Sequence, residues 1–202
     1  MIQTRDVQEM LGLRARPVAI AFLTDPPADV QPWRGPAQPA GCAFWRKAQD
    51  GESFYTVPTD HFNCAVGPYT HAIDLPPERA EELNQTLGLM VDNGYIEMAE
   101  VPAIPRLDRA PACVAYGPAD AAGFAPQVVL LTANPAQAML IYEAALRIGA
   151  AAAPTNLLGR PSCAVLPPDA ERQTCGRITR VRRQPALHRA ARGRALHRDP
   201  RR

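Results

Sequence analysis

The sequence has no apolar stretch that approaches the roughly 20 residues needed for a membrane-spanning helix. Its first ten residues include Arg5, Asp6 and Glu9, so they lack the apolar core of a secretory signal. We therefore expect a cytoplasmic protein with no membrane partner. In that reducing compartment, metal-bound or unpaired thiols are more common than structural disulfides.

The signatures of several common enzyme classes are also missing. The sequence has neither the Gly-x-x-x-x-Gly-Lys-Ser/Thr loop of nucleotide hydrolases nor a Gly-x-Gly-x-x-Gly turn for a dinucleotide. It also lacks the His-Glu-x-x-His zinc motif and the Gly-x-Ser-x-Gly nucleophile turn. These four chemistries are therefore not expected, and the sequence does not decide whether the chain is an enzyme.

Lysine is almost absent, since Lys47 is the only one and arginine supplies the remaining positive charge. Residues 1–176 carry 12 basic side chains against 19 acidic ones, whereas residues 177–202 carry 10 arginines against Asp199 alone. The net charge of +2 therefore combines an acidic body with a strongly basic C-terminal segment.

The C-terminal segment, residues 177–202, has no aromatic residue, methionine or cysteine and shows no apolar period. A segment of this composition buries too little apolar surface to order itself. Three explanations stay open: an arginine arm for nucleic acid, a disordered tail, and a GC-rich gene read out of frame. Nucleic-acid binding is the least favoured of the three, because such arms usually extend from a basic domain and this body is acidic.

The composition predicts a chain with its own core, because 47% of its 202 residues are hydrophobic. Apolar runs and amphipathic segments alternate along residues 1–176, which predicts one α/β or α+β domain with a mixed sheet flanked by helices. The helix after Pro76 is apolar on one face and should pack on one side. The helix from Asn134 to Gly149 is apolar on nearly every face and should be more deeply buried. The predicted strands are 18–23, 53–57, 113–116 and 127–132, and the predicted short helices are 6–13 and 43–48.

Four of the five cysteines share a local setting, in which a small residue follows each of them in loop or element-end sequence. They are Cys42, Cys64, Cys163 and Cys175. Thiolates are soft ligands that bind iron–sulfur clusters, zinc or Cu(I), and four thiolates match the number that such sites need. No Cys-x-x-Cys pair is present, so the four would have to converge through the fold. Cys113 lies inside an apolar run and is predicted to be structural.

Two other interpretations of the four cysteines stay open. A nucleophilic or redox thiol needs a neighbouring base, and His61 lies three residues before Cys64 while His71 lies seven residues after it. His61 also suits zinc or iron as a ligand, or it is a surface loop residue. In the second interpretation the cysteines fill the core independently, as free cysteines often do.

Aromatic residues follow Cys42 closely. Phe44, Trp45 and Tyr55 are predicted to line a pocket for a planar cofactor, because flat rings in loop regions commonly hold such ligands. The alternative is that these rings, together with Phe54, are simply part of the core.

The order of several short segments resembles domain-of-unknown-function family 169, found in archaea and bacteria, over about residues 8–176. The resemblance implies that the domain boundary and the cysteine positions matter, and it implies no reaction. The chain departs from the family pattern after Gly176. The segments that carry the resemblance are Leu11-Gly12-Leu13, 16–20, 42–48, Gly51, Phe54-Tyr55, Cys64, Gly67, Cys163 and Cys175-Gly176.

These observations lead to one functional expectation and one alternative. We expect the four cysteines to hold a metal ion such as zinc or an iron–sulfur cluster, in a redox or cofactor-handling role. The alternative is a small-molecule binding or structural domain in which the cysteines are incidental.

Overall fold

The computed structural model describes residues 4–94, 96–147 and 162–167. In it, the apolar runs predicted as strands at 18–23 and 113–116 form the central pair of strands. The strands are β1 (Val18–Leu23), β2 (Gln31–Pro32), β3 (Phe54–Thr56), β4 (Cys113–Pro118) and β5 (Val128–Leu130). The α-helices are α1 (Thr4–Leu11), α2 (Ala40–Gln49), α3 (Val66–Thr70), α4 (Pro77–Asp92) and α5 (Pro135–Arg147). The short 3-10 helices are η1 (Pro58–His61), η2 (Met98–Ala103) and η3 (Ser162–Val165).

The strands form one sheet in the order β2-β3-β4-β1-β5. The β2–β3 pair is parallel, and the other three pairs are antiparallel. In the register of the central pair, Ile20 lies opposite Tyr116 and Phe22 lies opposite Val114. The mixed sheet with helices predicted from the sequence is thereby confirmed.

One face of the sheet carries the large side chains and forms the core. Ile20 and Tyr116 are fully buried on this face and pack in one cluster with Phe44 of α2. Leu166, which directly follows η3, belongs to the same cluster. Side chains alternate between the two faces of a strand, so Cys113 lies on the face opposite Tyr116. Cys113 is 1% exposed, in agreement with its predicted structural role.

The two long outer helices differ in how well the sequence predicted their packing. On α4, Leu83 and Leu87 are half-buried while most other positions are exposed, so the predicted one-sided packing is confirmed. On α5, the expectation of deeper burial is wrong for the described residues, since none of Pro135–Arg147 is buried and Met139 is 65% exposed. The physical reason is that the sheet face with large side chains is already covered by α2 and η3, which leaves α5 without an apolar surface of that kind to cover.

Two predictions fall on a part of the chain that the structure does not describe. The C-terminal segment, 177–202, and Cys175 lie outside the described residues, so the division of the chain at 176 stays a prediction.

Among the helices of the described ranges, none combines the length and the apolar character that crossing a membrane requires.

Candidate functional site

Three of the four candidate cysteines come from separate elements that pack together. Cys42 lies in the first turn of α2, Cys64 lies in the turn before α3, and Cys163 lies in η3. Because η3 packs against both α2 and α3, it brings Cys163 to the other two. Cys163 is 3% exposed, whereas Cys42 and Cys64 are half-buried. We call these three residues the thiol region.

Electrostatics shows that the three thiols of this region act on one another. The pKa of Cys163 is raised to about 12, first by burial and then by the neighbouring thiols of Cys42 and Cys64. A hydrogen bond with the Thr70 side chain, whose own hydroxyl donates to the carbonyl oxygen of Gly67 at 2.8 Å, opposes part of this shift. Cys163 is therefore a neutral thiol at pH 7 in this structure. No disulfide joins the cysteines within the described ranges.

The thiol region does not have the arrangement of a finished metal centre. Among residues 4–94, 96–147 and 162–167, no group of three or more His, Cys, Asp or Glu side chains is placed to hold a metal ion. Charge interactions act over longer distances than a zinc–sulfur bond of about 2.3 Å, so the two observations are compatible. The predicted metal role is therefore not shown by this geometry, and the place of Cys175 in the set stays a prediction.

Two histidines form a second polar group close to the sheet. His61, at the end of η1, and His71, directly after α3, are both 0% exposed, so the interpretation of His61 as a surface loop residue is wrong. Their ring centroids lie 5.6 Å apart with the ring planes at 76°. The His61 ring also lies 5.3 Å from Phe44, and the His71 ring lies 5.2 Å from Phe22. We call His61 and His71 the histidine pair.

The hydrogen bonds of His61 determine which of its nitrogens carries the proton. The Thr56 hydroxyl donates to the carbonyl oxygen of Val114 at 3.1 Å, and Nε2 of His61 lies 2.8 Å from the same hydroxyl oxygen. Because a hydroxyl has one proton, both contacts are made together only in the tautomer in which Nε2–H of His61 donates to Thr56. Nδ1 of His61 is then an acceptor, and it has no hydrogen-bond partner among the described residues.

His71 has fewer hydrogen-bond partners than His61 among the described residues. Neither of its ring nitrogens has a hydrogen-bond partner within the described part of the chain. Burial lowers the pKa of His71 to about 4, and burial together with the neighbouring His71 lowers the pKa of His61 to about 3. Both imidazoles are therefore neutral at pH 7, and three of their four nitrogens are buried with no hydrogen-bond partner in the described part of the chain.

Tyr116 connects the histidine pair to the thiol region. Its pKa is raised well above its usual range, first by burial and then by the charge of Cys163. The Tyr116 hydroxyl has no hydrogen-bond partner among the described residues. The Phe44 ring lies 5.6 Å from the Tyr116 ring and also contacts His61. Phe44 of α2 thus packs against both Tyr116 and His61.

The aromatic residues proposed as a cofactor pocket are largely part of the core. Phe44 is 0% exposed, Trp45 is 6% exposed and Phe54 is 4% exposed, as in the alternative interpretation. Tyr55 is half-buried and alternates with Phe54 along β3. Their role in holding a cofactor stays a prediction. Trp33, which the sequence analysis did not select, completes this cluster through its ring contacts with Phe44 and Phe54.

A surface depression of about 240 Å³ lies next to the histidine pair. Phe22 and Leu107 are among the residues that line it, and Asp108 and Arg109 provide charges there. The Phe22 ring contacts His71, and the backbone N–H of Leu107 donates to the carbonyl oxygen of Thr70 at 3.0 Å. The depression therefore borders the chain segment that carries His71.

Sequence reasoning missed Thr56 and Tyr116 as members of this region, and it named His71 only as a possible base near Cys64. Thr56 and Tyr116 lie on strands and share the inward face with Phe54 and Ile20, so period-two alternation would have found them as inward polar residues. No local sequence signal distinguishes His71, because its burial depends on the packing of α3 against the rest of the domain.

The backbone directly after His71 is in an unfavourable conformation. Ala72 has φ = 55°, which is the left-handed region that a residue with a Cβ atom rarely adopts. The Ala72→Gly variant should therefore raise the free energy of unfolding by about 0.5–1 kcal/mol, since glycine adopts this region without the Cβ clash. Urea unfolding measures the change. The control Ala144→Gly, on the exposed side of α5, should instead lower it by about 1 kcal/mol, and a loss of stability in Ala72→Gly contradicts the expectation.

Comparison with known proteins supports the resemblance found in the sequence. The sequence model of the DUF169 family, described as uncharacterised ArCR, matches residues 6–167. The matched range contains the thiol region and the histidine pair, and it ends before Cys175. No curated protein and no solved structure matches the chain.

Proposed function

The chain belongs to the DUF169 family, and we propose that it binds a thiophilic metal ion or an iron–sulfur cluster through Cys42, Cys64 and Cys163, in a redox or cofactor-handling role. Cys175 is the candidate fourth thiolate in this proposal. The observation that carries it is the packing of η3 against both α2 and α3, because it gathers three cysteines that are up to about 120 residues apart in the sequence.

Electrostatics favours a cation at this place. Burial is the first cause of the raised pKa of Cys163, and the charges of Cys42 and Cys64 add to it. A bound cation reverses this effect, since it attracts each thiolate and offsets their mutual repulsion. Soft thiolate ligands select zinc, Cu(I) or iron–sulfur clusters over hard cations.

The surroundings of the thiols suit metal binding in two further respects. Cys42 lies in the first turn of α2, where the helix dipole stabilises a thiolate. The Thr70 side chain hydrogen-bonds to Cys163, and hydrogen bonds of this kind orient a ligand and tune the metal. Binding requires the half-buried Cys42 and Cys64 to approach the buried Cys163, because the three are not yet at coordination distance in the structure.

The test of this proposal is the metal content of the purified chain. After anaerobic purification, assays for iron, acid-labile sulfide and zinc should find close to one metal ion or cluster per chain, and an iron–sulfur cluster should give visible absorption. The Cys163→Ala variant should contain at most about a tenth of the metal found in the parent chain, since removal of groups around a metal typically weakens its binding tenfold to a hundredfold.

The matched control is Cys113→Ala, because Cys113 is also a buried cysteine but lies on the opposite face of the sheet. It should keep the metal content of the parent chain. Parent protein without metal, or equal metal content in Cys163→Ala, would overturn the proposal. Either result would favour the alternative of a small-molecule binding or structural domain with incidental cysteines, which the 3% exposure of Cys163 also fits.

A further inference from the structure

We propose that His61 and His71 form a second binding site, for a divalent transition-metal ion such as Zn²⁺, that is reached from the surface depression beside Phe22. The proposal rests on the geometry of the two imidazoles and of the depression. It does not depend on the thiol region, so the two sites can be tested separately.

His61 has the hydrogen bonding of a metal ligand. Histidines that bind metals almost always donate their other ring N–H to a carbonyl, a carboxylate or water, which orients the ring and fixes its tautomer. Here Nε2–H of His61 donates to the Thr56 hydroxyl, which itself donates to the carbonyl oxygen of Val114. The lone pair of Nδ1 is left without a partner among the described residues, and it is the atom available to a metal ion.

His71 supplies a second nitrogen at a suitable distance. A zinc–nitrogen bond of about 2.1 Å places the metal ion roughly 3.2 Å from the ring centroid, so two rings that coordinate at a tetrahedral angle have centroids roughly 5.2 Å apart. The centroids of His61 and His71 lie 5.6 Å apart. The two rings are therefore spaced as a pair of ligands to one metal ion would be.

Burial makes these free nitrogens costly unless something binds them. A buried polar group without a hydrogen bond costs about 1–3 kcal/mol, and three nitrogens of the pair have no partner within the described ranges. A metal ion uses one nitrogen of each ring. A single buried water molecule is the simpler occupant, since such waters commonly satisfy buried polar groups, and the experiment below separates the two.

The two histidines would fill only part of the coordination sphere of a metal ion. No third His, Cys, Asp or Glu joins the pair in a group able to hold a metal ion among residues 4–94, 96–147 and 162–167. Two protein ligands leave the remaining positions of the metal ion to water or to an added small molecule, as catalytic zinc sites leave one position open.

The surface depression adjoins one member of the pair. Phe22 lines the depression together with Asp108, and its ring contacts His71. Leu107, in the same wall, is hydrogen-bonded to Thr70, the residue before His71. The Phe22 side chain therefore lies between the depression and His71, and an ion that reaches the pair by this route must displace that ring. An entry path is one of the features that a metal site requires.

The experiment follows the histidine nitrogens of the full-length chain by NMR during a Zn²⁺ titration. Long-range nitrogen–proton correlation of the imidazoles distinguishes Nδ1 from Nε2 and needs no substitution at either histidine. We expect Zn²⁺ to shift Nδ1 of His61 and one nitrogen of His71 together, with one equivalent of metal. Unchanged resonances of both residues in the presence of bound Zn²⁺ overturn the proposal and leave a buried water as the occupant.

Variants give an independent measure. In the Cys42→Ser/Cys64→Ser/Cys163→Ser variant, Zn²⁺ binding at the histidine pair should persist, and adding His61→Gln or His71→Gln should weaken it at least about tenfold. The matched controls His188→Gln and His197→Gln lie in the Arg-rich C-terminal segment and should leave the affinity unchanged. Equal affinity in His61→Gln and in its parent overturns the proposal.

Cobalt separates this proposal from that of the thiol region. Co²⁺ bound by thiolates gives strong ultraviolet charge-transfer absorption, whereas Co²⁺ bound by imidazoles does not. If the triple cysteine variant loses that absorption, the absorption is assigned to the thiol region. If the histidine shifts are absent, only the proposal for the histidine pair is contradicted, so each proposal is tested by its own signal.

Discussion

Lowering the pH from 7 to about 4 is expected to destabilise the native chain by several kcal/mol, because His61 and His71 are buried as neutral rings. Their pKa values in the folded state are lowered to about 3 and about 4, whereas an unfolded histidine has a pKa of about 6.5. Between these values the unfolded chain binds protons that the native state does not bind. Stability therefore falls as the pH falls through this window.

The size of the effect follows from proton linkage. Each histidine contributes a slope of up to about 1.4 kcal/mol per pH unit, so the pair contributes up to about 2.7 kcal/mol per unit between pH 6 and pH 4. Below about pH 3 both states are protonated at these residues, and the pair adds no further loss. Since domains of this kind have free energies of unfolding of about 5–15 kcal/mol, the pair alone accounts for a large part of acid unfolding.

Urea unfolding at a series of pH values, with a chelator present to remove metal ions, measures this slope. The His71→Leu variant removes one titrating ring while keeping an apolar side chain of similar size, so it should reduce the slope between pH 6 and pH 4 by about half. His188→Gln is the control and should leave the slope unchanged. An identical slope in His71→Leu and the parent chain contradicts the assignment, whatever the effect of the variant on stability at pH 7.

The second large effect is expected from Phe44→Ala, which should lower the free energy of unfolding by about 3–5 kcal/mol. Phe44 is 0% exposed, and its ring lies within 6 Å of the rings of Trp33, Phe54, His61 and Tyr116. Truncation removes the contacts of one ring with all four neighbours. It also leaves a cavity between Tyr116 and His61, where the thiol region and the histidine pair meet.

Two control variants are compared with Phe44→Ala. Phe44→Leu keeps most of the apolar volume and should cost about 1–2 kcal/mol. Met139→Ala truncates an apolar side chain that is 65% exposed on α5, and it should change stability by less than about 0.5 kcal/mol. Equal losses in Phe44→Ala and Met139→Ala would show that the cluster beneath α2 does not stabilise the domain as the structure indicates.

Phe44→Ala also tests whether the two polar groups depend on the same packing. Cys42 lies two residues before Phe44 on α2, and His61 contacts the Phe44 ring directly. If the aromatic cluster positions both groups, the variant should weaken metal binding at the thiol region and at the histidine pair together, under conditions where the chain is still folded. Phe44→Leu, as the control, should retain both.

Among the described residues, local sequence patterns predicted four of the five strands and four of the five α-helices, and missed β2 and α3. The apolar run after Pro17 became β1, and a similar run became β4, since β-branched residues in short apolar segments favour strands. The one-sided period after Pro76 became α4, with Leu83 and Leu87 on its covered side. Each of these predictions depends on residues near one another in the chain, which is why the sequence alone was enough.

The sequence also selected three cysteines whose elements pack together in the fold, without indicating how they are arranged. The small residues after Cys42, Cys64 and Cys163 indicated a shared setting, and the family resemblance agreed with it. Their proximity depends on η3 packing between α2 and α3, a contact between segments about 100 residues apart. Local pattern carries no information on such contacts.

The sequence by itself determined four of the five described strands, most α-helices, the family and the candidate cysteines of this protein. The tertiary structure alone decided that His61 and His71 are buried side by side, that Phe44 packs against both His61 and Tyr116, and that α5 stays largely exposed. The reason is that the type of an element follows from the period of its own residues, whereas burial depends on which other surface covers it. The histidine pair became visible only when α3, η1 and the sheet were placed together.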